Sequence, residues 1–75
     1  MNNGINKVNP KAILHSKWTA VEVKNKEKHF IITLVKFDDQ QNVVECILEA
    51  VMTKSEYVID WRQLKLTHKW RIGWQ

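Results

Sequence analysis

Three groups of residues in this chain could do chemistry: soft metal ligands, carboxylates, and tryptophans beside cations. His15, His29, His68 and Cys46 are the only soft ligand types. Structural zinc takes four ligands in closely spaced pairs, and these positions form no such pairs, so no metal is expected. Acid–base or nucleophilic catalysis needs paired carboxylates in a cleft, or a nucleophile beside its base. Glu45 and Glu49 share a strand face, yet four residues of strand hold them about 13 Å apart. The only glycines are Gly4 and Gly73, so no glycine-rich loop can cradle a phosphate, and no cofactor is expected. Cys46 falls inside an apolar run, where a thiol is more often buried and inert than reactive. A chain of 75 residues rarely encloses a water-free pocket, and an enzyme is not expected.

The third group is concentrated at the C-terminus. Residues 57–75 hold Trp61, Trp70 and Trp74, three of the four tryptophans, together with both arginines, and no acid follows Asp60. Charge is segregated along the chain: residues 1–29 carry six Lys against two Glu, residues 30–60 six acids against two Lys, and residues 61–75 four cations, for a net +4. Arg62, Lys65, Lys69, Trp70, Arg71 and Trp74 are the candidate binding face, with Lys17, Lys24, Lys26 and Lys28 as further cations. An exposed Trp among cations serves base stacking and cation–π recognition, so the expected partner is a nucleic acid or an acidic protein surface. The alternative is a protein–protein adaptor, or a small subunit of a larger assembly, using an exposed Trp patch. The bland reading of the same residues is a solvated surface around a core that needs its large aromatics. On that reading Trp18 and Trp61 are core. Trp70 and Trp74 share a strand face unless Gly73 makes a bulge. No RNP-type, zinc-finger or helix-turn-helix pattern accompanies the basic set.

The elements that must position these residues are strands. Residues 1–9, rich in Asn, read as a disordered tail, and 10–75 as a single small domain. Asn9-Pro10 suits the start of one helical turn through His15, with Ile13 and Leu14 inward. Lys17–Val23 alternates, with Glu22 against the pattern, and reads as a strand. A polar loop, 24–28, leads to His29–Phe37, the strongest strand, with Phe30, Ile32 and Leu34 on one face and Ile31, Thr33, Val35 and Phe37 on the other. Asp38–Asn42 is a turn. Val43–Met52 is a strand with Val44, Cys46, Leu48, Ala50 and Met52 on one side. A turn at 53–56 precedes a strand to Asp60, which caps one helical turn through Leu64. Lys69–Trp74 closes the fold. The fold class is all-β: a small SH3-like five-stranded antiparallel barrel, or a strongly bent or open meander, with one helical turn before the last strand. An SH3-like fold hosts many unrelated functions.

Taken together, Pro10-Lys11, Ser16-Lys-Trp-Thr-Ala-Val21, Lys26-Glu-Lys-His-Phe30, Val44-Glu-Cys-Ile-Leu-Glu-Ala-Val51, Trp61-Arg-Gln-Leu-Lys65 and the Trp70-x-x-Gly-Trp74 end resemble a family of small tryptophan-rich bacterial proteins of unknown function. The resemblance spans roughly residues 10–75. It implies a bacterial stand-alone domain and transfers no catalytic or binding residue. A polar N-terminus without a long apolar run, no membrane-length segment and a lone cysteine, which rules out an internal disulfide, lead to the expectation of a cytoplasmic monomer away from membranes.

Overall fold

In the computed structural model, which describes residues 5–75, the alternating segments are strands. They are β1 (Lys17–Lys24), β2 (Glu27–Phe37), β3 (Val43–Ala50), β4 (Glu56–Val58) and β5 (Trp70–Ile72), with two 3-10 turns, η1 (Pro10–Ala12) and η2 (Trp61–Lys65). All five lie in one antiparallel sheet ordered β4-β3-β2-β1-β5. The edge strands β4 and β5 do not pair, so the expected barrel is not closed. Each has three residues, too few ladder bonds to curl the sheet onto itself. The Cα atoms fill a slab of 37 × 36 × 15 Å.

The turns follow local chemistry. β1 and β2 meet through Asn25 and Lys26 alone, at φ 55° and 61°, a two-residue turn with both centres left-handed. The expected five-residue loop is therefore shorter, because both strands run into it. Asp38 holds the next turn as expected: its Oδ1 accepts from the amides of Gln40 and Asn42, each at 2.9 Å. β3 ends at Ala50, and Val51 and Met52 belong to the turn that follows.

Residues directly opposite in an antiparallel pair point to the same side. Trp18 lies opposite Phe30, Phe30 opposite Ala50, and Ile32 opposite Leu48. These are all buried and define the core face. Ile13 and Leu64 complete the cluster from above it. Ile13 is carried in by a hooked chain: the His15 amide donates to Ile32 O and the Ile32 amide to Ser16 O. Trp18 is only 3% exposed, and its Nε1 donates to Ser16 Oγ at 2.8 Å, so burial leaves the indole N–H satisfied. Trp61, expected in the core, is half-buried and packs at its margin.

Three register shifts correct the simple alternation. Lys36 pairs with Glu45 and Phe37 with Val43, so Val44, expected on the core side, is an extra, exposed residue and Val43 packs on the core instead. Ile32 pairs with Leu48 and Leu34 with Ile47, so Thr33 is an extra residue, a β-bulge. Beyond it the faces exchange: Val35, opposite Cys46, packs on the core, and Leu34 goes to the outer face with Ile47. β1 is also irregular against β2 between Thr19 and Lys24. That irregularity is why Val21, Glu22 and Val23 are all exposed and why Glu22 sits against the pattern.

The N-terminus differs from expectation as well. Residues 1–4 of the expected tail lie outside the described residues. Ile5 forms a bridge with Leu66. The Asn6 amide donates to Lys65 O at 2.8 Å, and its side-chain Nδ2 donates to Leu64 O at 2.8 Å and Trp70 O at 2.9 Å. One asparagine thus satisfies carbonyls at the exit of η2 and in β5, which composition alone could not indicate.

Candidate functional site

The six residues expected to form one basic, tryptophan-rich face are divided among three places, two to each. Lys69 and Trp70 border a groove on the core side. Arg62 and Lys65 flank Trp61 on η2. Arg71 and Trp74 lie on the outer face of the sheet. The division follows from backbone geometry: a 3-10 turn, a three-residue strand and a glycine turn cannot present consecutive residues to one side.

The groove, about 810 Å³, runs between the second half of β1 and the β4–η2 segment. Phe30, Leu48, Ile59 and Trp70 make its apolar floor, with Val21 and Tyr57 on the walls and Lys24, Gln63, His68 and Lys69 at the rim. Aromatic packing shapes it. Phe30 meets Trp70 edge-on, centroids 5.2 Å apart at 87°, and Tyr57 at 6.2 Å and 64°, within the favoured range for aromatic pairs. Trp70 points there because it lies opposite Ala20, whose small side chain leaves it room.

One groove residue was missed from the sequence. Glu27, alone among the lysines of 24–28, is buried, and its carboxylate accepts from the Thr53 hydroxyl and the Tyr57 hydroxyl. Those hydrogen bonds, Thr53 first, hold its pKa below the ordinary glutamate value although burial pushes the other way. The Tyr57 phenol is raised in turn, chiefly by donating to Glu27. Glu27 therefore ties the start of β2 to the β3–β4 turn and to β4, and so fixes one wall of the groove. Nothing in the local sequence separates it from a solvated glutamate.

At η2, Asp60 caps the turn: its Oδ1 accepts from the Arg62 amide at 3.0 Å and its carboxylate lies 3.5 Å from the Arg62 guanidinium. The Arg62 guanidinium and the Lys65 ammonium sit 5.7 and 4.9 Å from the Trp61 ring centroid. The cations expected to await a partner are already placed on their own tryptophan.

The outer-face patch depends on Gly73. Its φ of +79° is open to glycine at little cost. Its amide donates to Lys17 O at 2.8 Å, and its carbonyl accepts from Thr19 Oγ1 at 2.7 Å. The chain thereby turns across β1, and Trp74 lands on the face opposite Trp70. There its Nε1 donates to Phe30 O at 2.9 Å, Lys17 Nζ stands 4.8 Å over its ring, and the His29 ring is 6.0 Å away. Trp74 is 44% exposed. Lys17 and Arg71 are the full cations of the patch. Two phosphate contacts give a salt slope of only about −2, a thin electrostatic basis for nucleic-acid binding.

Among the described residues no three His, Cys, Asp or Glu side chains converge to hold a metal. Cys46 is buried, and desolvation raises its thiol pKa, which disfavours the nucleophilic thiolate. No helix among the described residues is long and apolar enough to cross a membrane. The model of a family described as Tryptophan-rich protein (DUF2389) matches residues 16–75. No curated protein and no solved structure matches the chain significantly.

Proposed function

The chain belongs to this tryptophan-rich family of unknown function, and we propose that it is a non-enzymatic binding module holding an extended segment of a partner protein in the groove between β1 and β4. The groove is the observation that carries this reading. Its volume of about 810 Å³ lies within the roughly 300–1,000 Å³ of sites that take small or peptide-like ligands. Its floor is apolar and aromatic with a polar rim, the composition that favours affinity below and orientation above. Among the described residues the outer edge of β4 has no neighbouring strand, and the C-terminal segment is hydrogen-bonded to β1 from Lys17 to Val21. An added strand would meet main-chain donors and acceptors there while its alternate side chains entered the groove. The strand order, with a 3-10 turn before the last strand, is read as an SH3-like arrangement left open where the groove lies. The proposed setting is the bacterial cytoplasm, on the family resemblance and on a lone buried thiol, the pattern of a reducing compartment.

The test is panning of a random peptide library on the immobilised protein, followed by amide NMR with the best synthetic peptide. Shifts at Val21, Phe30, Tyr57 and Trp70, abolished by Val21→Asp in a folded variant, are expected. The same spectra are recorded with mixed single-stranded RNA at low and moderate salt. If peptide leaves the groove unmoved while RNA shifts Lys17, Arg71 and Trp74 reversibly with salt, the module is one for an anionic partner.

A further inference from the structure

Both 3-10 turns and their anchors, Ile13 and Leu64, lie over the core face. On the outer face the C-terminal turn folds over Thr19: the Gln75 amide donates to Thr19 Oγ1 at 2.9 Å. The rest of that face carries a charge gradient across the strands. The registers Glu49↔Glu56, Ile31↔Glu49 and Lys17↔Ile31 set Glu56, Glu49, Ile31 and Lys17 in one row, acidic at one end and basic at the other. The next row is apolar, with Val58 opposite Ile47 and Ile47 opposite Leu34. Val58 is 71% exposed. Glu45 extends the acidic side, paired with Lys36 at 3.5 Å. Arg71, His29 and Trp74 extend the basic side. Glu49 and Glu56 stand directly opposite each other, an arrangement that destabilises a sheet, and neither belongs to an ion pair among the described residues.

We propose that this outer face is a two-fold interface between two copies of the chain. A two-fold axis through Ile31 lays Lys17 of one copy over Glu49 of the other, and the reverse, as an isologous contact requires. Ile31 meets its own copy at the centre, with Leu34 and Ile47 nearby. The repulsion between Glu49 and Glu56 is then relieved by the cation that arrives from the partner. The interface is independent of the groove, which opens on the opposite side, and it replaces the monomer expected from composition.

Sedimentation velocity of the full chain from micromolar to millimolar concentration tests this. The wild type is expected to approach twice the 8.9 kDa monomer mass. Lys17→Glu and Glu49→Lys are each expected to weaken self-association by on the order of tenfold or more, since each sets like charges together twice. An equimolar mixture of the two variants should regain the dimer mass, because every contact is again between opposite charges. Amide NMR dispersion establishes that each variant is folded; if Lys17→Glu does not fold, Lys17→Asp takes its place. A wild type that stays monomeric at millimolar concentration overturns the proposal. So does a mixture of folded variants that remains at monomer mass.

Discussion

The two faces of the sheet are built from the same strands and differ in what their chain neighbours do. The core face receives Ile13 and Leu64 from the 3-10 turns and buries Trp18, Phe30, Ile32, Cys46 and Leu48. Among the described residues the outer face receives only a C-terminal turn, and its half-buried Ile31, Leu34 and Ile47 lie among charges. A chain of 75 residues has connecting segments for one layer of cover, and small domains are marginal for this reason. One face therefore stabilises the fold, and the other is left for association.

Tryptophan substitutions put that division to the test. Trp18→Ala is expected to have the largest effect, about 3–5 kcal/mol, comparable to the whole net stability of a domain this size; far-UV circular dichroism should show an unfolded chain. A folded Trp18→Ala protein would mean that the core face is not what holds the sheet. Trp61→Ala, at the core margin with two cations on its ring, should cost about 2 kcal/mol, less than full burial would give, read as a lower urea midpoint with a cooperative transition. Trp74→Ala should cost about 1–2 kcal/mol, the sum of one hydrogen bond and one cation–π contact. Trp74→Phe should recover part of that loss by keeping a ring beneath Lys17.

Acid sharpens the contrast from the groove side. The folded-state pKa of Glu27 lies below its unfolded value. Its contribution is thus complete above the unfolded pKa and is lost as pH falls through the folded one. Asp38, lowered mainly by its hydrogen bond from the Asn42 backbone, acts in the same direction. The urea midpoint of the wild type should fall on acidification below the ordinary glutamate range, and Glu27→Gln should flatten part of that fall. The smallest effect belongs to the outer face. Glu49→Lys replaces a like-charge pair with an opposite-charge one across from Glu56 and should raise monomer stability by about 0.2–1 kcal/mol. An increase in melting temperature would verify it; a decrease would show that Glu49 already has a favourable role in the isolated chain.

The strands were legible because period-two alternation and β-branched residues coincide in 17–23, 29–37 and 43–50, and Asp38 and Asp60 announce their turns. Trp18 was legible as core because it starts an apolar alternation. Faces beyond Thr33 were not, since a bulge changes no composition and moves every following side chain to the other side. The candidate face was legible as residues but not as a surface. Consecutive positions around Gly73 were grouped by sequence, whereas a left-handed glycine placed Trp70 and Trp74 on opposite sides. Glu27 and Asn6 act through partners 26 and more residues away, beyond the reach of any local pattern.

The burial of Cys46 gives the molecule an internal clock. It is the only thiol, it is 1% exposed, and its raised pKa keeps it protonated in the folded state. A thiol reagent can then modify the native protein only after the core face has opened. When reclosing outruns the reagent, the labelling rate reports the population of opened molecules; when reagent is in excess, it reports how often the sheet opens. The chain thus records its own opening frequency at one atom, without an introduced probe.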